Sequence, residues 1–171
     1  SMEETRIKKV KEALKIFMKS LPKKSYYNIV SFGSTYEIMY PESQLFSNEV
    51  ILTETLNRLE SFSANMGGTE IYEGLENVFN IKKIDGYPRY IFLLTDGDVS
   101  NTSEVIKLIQ NNCKDLMTRL FSVGIGNGCS TKLIKCSAKV GNGDFILIDD
   151  NQDVSSKIID MLSKSITPCI N

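Results

Sequence analysis

Histidine is absent from this sequence of 171 residues, and so is tryptophan. Histidine is the commonest side-chain metal ligand and the usual general base near neutral pH. Its absence excludes Ser-His and Cys-His catalysis within this chain, together with zinc sites that depend on histidine.

The sequence also lacks an excess of charge of either sign and any long apolar run. Twenty basic residues stand against 21 acidic ones, for a net charge of -1. This balance gives no electrostatic reason to expect a nucleic acid or an anionic membrane as partner. No apolar run approaches the ~20 residues that cross a bilayer. We therefore expect any partner to be recognised locally.

Cysteine is sparse, and its spacing indicates no metal site. None of the four cysteines forms a CxxC pair: Cys113, Cys129, Cys136 and Cys169. Two of them fall in segments with helical periodicity, where small buried thiols are ordinary. We expect reduced, structural cysteines.

The length favours a single domain over residues 1–171. The pattern of apolar residues predicts helices at 5–21, 48–62, 69–79, 103–113, 131–139 and 154–164. Runs rich in β-branched and aromatic residues predict a hairpin at 26–32 and 36–40, and strands at 89–95, 119–123 and 144–148. This order predicts an α/β fold: a doubly wound, mostly parallel sheet with helices on both faces.

The segment TDGD, which follows the predicted strand at 89–95, carries the first candidate ligand. Asp96 directly follows a continuous apolar run, and ligands of doubly wound sheets gather beyond the carboxyl ends of the strands. A turn after a strand also favours aspartate for backbone reasons alone, and Asp98 or Asn101 could cap the next helix. Asp96 by itself therefore leaves both interpretations open.

The segment MGGTE supplies a second candidate, Thr69. A glycine pair lets the backbone approach a ligand closely, and the hydroxyl of Thr69 stands at a predicted helix start, where it could equally act as an N-cap. A hydroxyl and a carboxylate at one sheet edge suit a small, hard cation with oxygen ligands. Mg²⁺ or Mn²⁺ fits this pair, and zinc does not.

With these motifs, nearly the whole chain resembles the von Willebrand factor A domain family. Within that family, the segments FSANMGGTEIYEGL, FLLTDGDVSN and LFSVGIGNGCSTKLIKCSAKVGNGDF look most like the type found in the vault poly(ADP-ribose) polymerase and the inter-alpha-trypsin inhibitor heavy chains. The resemblance implies a metal-ion-dependent adhesion site that leaves one cation position open for a partner's carboxylate. It also implies that Thr69 and Asp96 are ligands from the second and third loops of that site.

The family's first loop, Asp-x-Ser-x-Ser at the end of a central strand, is where this chain departs from the pattern. Ser1 and Met2 fall where the last two residues of that segment would lie, so Ser1 is the third candidate ligand. A Ser-Met pair is also a common cloning scar, and both origins stay open. One formal negative charge is weak compensation for desolvating a divalent cation, so we expect a weak or vacant metal site in this chain.

The resemblance further implies that the central first strand is missing, so that we expect an N-terminally shortened domain. Its two neighbours would be the strands that end near Phe32 and Thr95. Unpaired strand edges are normally covered or filled. We expect the gap to be closed by direct pairing of these neighbours, by exchange with a second copy in a homodimer, or by a strand from elsewhere in the parent protein.

The leading functional hypothesis is therefore a non-enzymatic protein-interaction module that binds an acidic group of a protein partner through a divalent cation. One alternative is a metal-independent scaffold domain of a larger protein. Another is a Mg²⁺-dependent phosphohydrolase fragment that uses Asp96 and Asp98, although no nucleophile or lysine clamp accompanies them. The vault-type resemblance and the absence of a secretion signal favour the cytoplasm, and a signal encoded upstream would place the domain outside the cell.

Overall fold

A computed structural model of the chain describes residues 2–32, 36–60, 71–95, 101–115, 117–126, 131–149 and 152–165. Within these ranges the helices are α1 Met2–Lys19, α2 Glu49–Glu60, α3 Ile71–Asn80, α4 Thr102–Asn112, α5 Thr131–Val140 and α6 Val154–Ser165. The strands are β1 Tyr26–Tyr27, β2 Val30–Phe32, β3 Tyr36–Ile38, β4 Gln44–Leu45, β5 Arg89–Thr95, β6 Thr118–Ile125 and β7 Asn142–Ile148. The predicted helices and the predicted strands at 89–95, 119–123 and 144–148 are confirmed within the described residues. The single strand predicted at 26–32 is wrong, because this run is divided into β1 and β2, which pair with different strands. Strand β4 is an addition that the sequence did not predict.

Strands β5, β6 and β7 form a parallel sheet in that order. Alternate residues of β6 enter two different apolar clusters, because successive strand residues point to opposite faces. Phe121 and Val123 pack with α1 and α6 on one face, and Leu120 packs with α3, α4 and α5 on the other. The sheet is therefore covered by helices on both faces, which confirms the predicted α/β class.

The remaining strands form two small antiparallel pairs. Strand β2 pairs with β3, as the predicted hairpin requires, and β1 pairs with β4. A third apolar cluster joins these strands to α1 and α2 through Met18, Tyr27, Tyr40 and Leu59. Helix α1 contributes to two clusters, because Phe17 packs on the parallel sheet and Met18 packs on the antiparallel strands.

Strands β2 and β5 lie in separate sheets. Direct pairing between them, one of the three expected ways of closing a central gap, is therefore wrong. Strand β5 pairs with β6 along one edge, and no described strand pairs with its other edge.

Two cysteines lie in the described residues, and both are free thiols. Cys113 is buried and Cys136 is partly buried, as expected for reduced structural cysteines. Cys129 and Cys169 lie outside the described residues. No helix in the described ranges is long and apolar enough to span a membrane.

Candidate functional site

The parallel strands end together at one side of the sheet, which we call the C-terminal edge. Thr95 ends β5 opposite Gly124 of β6, and Ile125 ends β6 opposite Ile148 of β7. Because the strands are parallel, the segments that follow them leave the sheet at this edge. Thr95 itself is buried, with 7% of its surface exposed.

Helix α3 begins at the same edge. The guanidinium of Arg89, the first residue of β5, donates hydrogen bonds to the carbonyls of Val78, Phe79 and Ile81 at the C-terminal end of α3. This contact places the end of α3 beside the start of β5, so the helix runs antiparallel to the strand. Its first residue, Ile71, is buried in the same cluster as Leu93, near the end of β5.

The first half of α1 also lies at the C-terminal edge. Lys9 Nζ donates to the backbone carbonyl of Asp149, which directly follows β7, over 2.8 Å. The hydroxyl of Ser155, at the start of α6, donates to Glu12 Oε1 over 3.1 Å. Helix α1 begins at Met2, about two turns before Lys9.

The three predicted metal ligands, Ser1, Thr69 and Asp96, lie outside the described residues, as does Asp98. The described residues next to them in sequence belong to elements that meet at the C-terminal edge. Asp96 directly follows Thr95, Thr69 stands two positions before Ile71, and Ser1 directly precedes α1. The fold therefore brings the described residues next to these three positions to one edge, and the positions of the three ligands themselves stay a prediction.

Asn101 adds an oxygen acceptor to this edge. It occupies the N-cap position of α4, yet its side chain makes no capping hydrogen bond, so the interpretation of Asn101 as a side-chain cap is wrong. Its Oδ1 is buried and has no hydrogen-bond donor among the described residues. An orphaned acceptor of this kind costs free energy unless a cation or a further donor satisfies it. The sequence signal was only its position, in the segment that Asp96 begins.

Within the described ranges, no group of three or more His, Cys, Asp or Glu side chains is arranged to hold a metal ion. Two described acidic residues near the edge have hydrogen-bond partners of their own. Glu12 accepts from Ser155, and the carboxylate of Asp153 accepts from the Ser155 backbone N–H over 3.1 Å. A metal site at this edge therefore depends on the predicted ligands.

The chain matches the family model described as the von Willebrand factor type A domain over residues 1–145. It is 40% identical over 157 residues to von Willebrand factor A domain-containing protein 5A of Mus musculus, covering 92% of this chain and 19% of that protein. It is 33% identical over 171 residues to protein 5B1 of the same species, covering 100% of this chain and 14% of that protein. The chain thus spans a fifth or less of the length of these relatives.

Two solved structures show the same fold. A von Willebrand factor type A protein from Catenulispora acidiphila superposes with a TM-score of 0.77 at 20% identity, over 95% of this chain and 38% of that one. Proximal thread matrix protein 1 from the mussel byssus, with a zinc-occupied MIDAS motif, superposes with a TM-score of 0.73 at 14% identity, over 93% of this chain and 42% of that one. The family model covers most of the sequence and the superpositions cover nearly the whole fold, so the chain belongs to the von Willebrand factor type A domain family.

Proposed function

We propose that this chain is a non-enzymatic protein-interaction module that binds an acidic group of a protein partner through a divalent cation. Its metal site would be the metal-ion-dependent adhesion site of the family, with Thr69, Asp96 and Ser1 as the ligands in this chain. The observation that carries the proposal is the common edge at which β5 ends and α1 and α3 begin.

The donor types at that edge fit a hard cation. A hydroxyl from Thr69, a carboxylate from Asp96 and a hydroxyl from Ser1 are oxygen donors, which Mg²⁺ and Mn²⁺ accept. The orphaned Oδ1 of Asn101 is a further oxygen at the same edge. When bound, the cation would offer an open coordination position to a carboxylate. The solved mussel protein has zinc in its MIDAS motif, but that observation concerns the mussel protein alone. We therefore include zinc in the binding test as a competing cation.

The charge of the site sets its expected affinity. Asp96 supplies the only formal negative charge among the three proposed ligands, and a divalent ion that holds its waters tightly needs more compensation. We therefore expect Mg²⁺ or Mn²⁺ to bind this chain with a Kd above about 0.1 mM, comparable with the weakest Ca²⁺-binding modules.

The position of β5 at the margin of the described sheet, with β6 as its one described strand neighbour, supports a second part of the proposal, which is that an additional strand completes the sheet. Strand β5 has apolar side chains on both faces, and such strands normally lie inside a sheet rather than at its margin. We favour a strand from elsewhere in the longer protein, since the chain spans only a small part of its relatives. Exchange with a second copy, which gives a homodimer, is the competing source. Light scattering separates them, because exchange gives a dimer whose population grows with concentration.

Calorimetry tests the metal site directly. Mg²⁺, Mn²⁺ and Zn²⁺ are titrated into the chain and into the variants Asp96→Asn and Thr69→Val. Asp144→Asn is the matched control, because Asp144 is exposed near the start of β7, at the opposite end of the strand from the C-terminal edge. We expect weak Mg²⁺ or Mn²⁺ binding that both site variants abolish and the control retains. Micromolar binding by the unaltered chain would contradict the claim that the metal site is incomplete. Binding by Asp96→Asn as strong as that of the unaltered chain would contradict the assignment of Asp96 as a ligand.

A pull-down with the longer protein tests the interaction itself. We expect capture of a protein partner in Mg²⁺ that is lost on adding chelator and lost in the Asp96→Asn variant. Capture that chelator leaves unchanged would favour the metal-independent scaffold, which is the second candidate because the described residues contain no complete ligand cluster.

The boundaries of the domain, its subtype within the family and its cellular compartment belong to the same proposal. We assign residues 1–171 to one domain of the vault-associated and inhibitor heavy-chain type, working in the cytoplasm. Fractionation of cells that express the longer protein tests the compartment, and recovery in the secreted medium would contradict it.

A further inference from the structure

Four exposed apolar side chains lie together at the end of the molecule opposite the C-terminal edge. We call them the Tyr26 patch: Tyr26, Leu45, Tyr87 and Met117, which are 40%, 38%, 44% and 50% exposed. Single exposed apolar side chains are ordinary on soluble domains, whereas a group of them marks a surface that another molecule covers.

The patch is continuous across elements that are distant in sequence. The rings of Tyr26 and Tyr87 meet edge to face, with 5.3 Å between their centroids. Leu45 is the antiparallel partner of Tyr26, and directly paired residues project to the same face. The carbonyl of Met117 accepts a 2.7 Å hydrogen bond from the backbone N–H of Arg89, two positions after Tyr87.

The register of the parallel sheet fixes the location of the patch. Arg89 and Thr118 are paired as the first residues of β5 and β6, so Tyr87 and Met117, which precede them, lie at the amino ends of these strands. Gly86 lies beside Tyr87 with a φ of 81°, and a Cβ placed there would meet no atom within 4 Å. The surface next to Tyr87 is therefore open.

The three chain segments that carry or adjoin the patch residues are rich in lysine. The segments 20–26, 81–88 and 113–117 carry five lysines and two aspartates, all exposed: Lys23, Lys24, Lys82, Lys83, Lys114, Asp85 and Asp115. One lysine, Lys83, is 3.7 Å from Asp115, and the other four form no ion pair with a described residue. This local surplus of positive charge stands on a chain whose net charge is -1.

The helix dipoles account for some of the lysines in these segments, but they do not account for the exposed apolar side chains of the Tyr26 patch. The lysines follow the C-terminal ends of α1, α3 and α4, whose carbonyls carry partial negative charge. That effect acts within the last turn of a helix and requires no exposed tyrosine or methionine nearby. Two aromatic rings and four lysines that form no ion pair with a described residue therefore need a further explanation.

We propose that the Tyr26 patch and its lysine rim bind an acidic peptide segment of a protein partner that also carries apolar side chains. Tyrosine and methionine are enriched in protein interfaces, where they provide the buried contacts, and a charged rim selects and steers a partner of opposite sign. Asp85 and Asp115 lie in the same segments, and their negative charge would repel the phosphate backbone of a nucleic acid. Four side chains form a small interface, so the contact is a transient one.

This binding face is separate from the proposed metal site and independent of its occupancy. A random 12-residue peptide library displayed on phage serves as the probe, with selection carried out in chelator. We expect enrichment of sequences that combine Asp or Glu with aromatic or aliphatic residues. Absence of enriched peptides, or enrichment of basic or neutral ones, overturns the proposal.

Fluorescence anisotropy with the enriched peptides then locates their binding site. We expect Tyr87→Ser to weaken binding about tenfold, because it removes a central contact. The double variant Lys82→Glu and Lys83→Glu should weaken binding several-fold and reduce its dependence on salt, because rim charges act through screened attraction.

Matched control variants outside the Tyr26 patch test whether the loss of binding is specific to this surface. Val50 and Ile159 are 79% and 53% exposed outside the patch, so Val50→Ser and Ile159→Ser make the same kind of change elsewhere. Lys132→Glu reverses an exposed charge at the start of α5, which lies toward the opposite end of the sheet. Loss of binding in these controls, or full binding by Tyr87→Ser, overturns the assignment of the surface. Binding of anionic vesicles or RNA through the same residues, without peptide enrichment, also overturns it.

Discussion

The hydroxyl of Tyr40 lies 2.6 Å from Oγ1 of Thr55, which is fully buried between α2 and the antiparallel strands. The hydroxyl of Tyr27 approaches the same Oγ1 atom at 2.8 Å. Thr55 donates its own proton to the carbonyl of Ile51 over 2.9 Å, so its oxygen accepts from both tyrosines. One threonine thus satisfies two buried phenols and ties α2 to β1 and to the second residue after β3.

Replacing Thr55 by valine should destabilise the domain by roughly 2 kcal/mol or more, because two buried hydroxyls lose their acceptor while the shape is kept. Urea unfolding followed by circular dichroism measures the change. Thr53→Val is the matched control, since Thr53 makes the same kind of bond to Glu49 on the exposed face of α2. Its expected cost is about 0.5 kcal/mol or less. Equal unfolding midpoints for the two variants would contradict the buried network.

Alkaline pH should destabilise the domain through Cys113. Burial raises the pKa of its thiol from 9.0 to about 11, with the charge of Asp115 adding to the effect. The folded state therefore keeps a proton that the unfolded chain releases above pH 9, so this contribution to stability is lost as the pH rises from 9 to about 11. A shift of this size corresponds to roughly 3 kcal/mol.

The variant Cys113→Ala isolates that contribution. Urea titrations between pH 9 and pH 11 should show a smaller loss of stability in the variant than in the unaltered chain. Burial also raises the pKa of Tyr27 above 10.0, so some loss should remain above pH 10. Identical pH slopes for both proteins would show that Cys113 does not titrate as expected.

Gly143→Ala should destabilise the domain by about 3 kcal/mol, because β7 passes too close to β6 for a side chain. A Cβ at Gly143 would lie 2.0 Å from the carbonyl oxygen of Leu120 and 2.7 Å from its carbonyl carbon. These are backbone atoms, so the strands themselves would have to separate. Thermal unfolding monitored by circular dichroism measures the loss.

Gly86→Ala provides the comparison for that variant. Gly86 has open space around it, and only its positive φ of 81° opposes a side chain. We expect a cost of about 1 kcal/mol. A greater loss at Gly86 than at Gly143 would contradict the close approach of β6 and β7.

Removing the guanidinium of Arg89 should loosen α3. Arg89→Met removes the donors to the carbonyls of Val78, Phe79 and Ile81, at an expected cost of roughly 1–3 kcal/mol, while Arg89→Lys keeps one charged group. Hydrogen exchange should show faster exchange in α3 than in α5 for the methionine variant, with the lysine variant intermediate. Uniform acceleration of both helices would show that Arg89 has no specific role at α3.

Much of the fold was predictable because local patterns agree with tertiary burial. The continuous apolar run at 89–95 indicated a strand covered on both faces, and β5 indeed lies between two clusters of helices. Strand β4 was missed because two residues carry no periodicity, and it exists through pairing with β1. The predicted order of helices and strands could not reveal that pairing.

The candidate site was also predictable only in part from the sequence. Residue type and position after a strand or before a helix selected Thr69 and Asp96, and the order of the elements implied one common edge. The orphaned Oδ1 of Asn101 was not predictable, because an N-cap asparagine normally bonds to its own helix.

The sequence by itself determined the α/β class, the absence of histidine chemistry and the chain segments that reach the C-terminal edge. These follow from composition and from periodicities that act over a few residues. Only the tertiary structure decided that Thr55 serves two tyrosines, that β2 and β5 lie in separate sheets, and that Tyr26 meets Tyr87 among lysines from three loops. Those contacts join residues far apart in the chain, so their geometry arises only when helices and strands pack together.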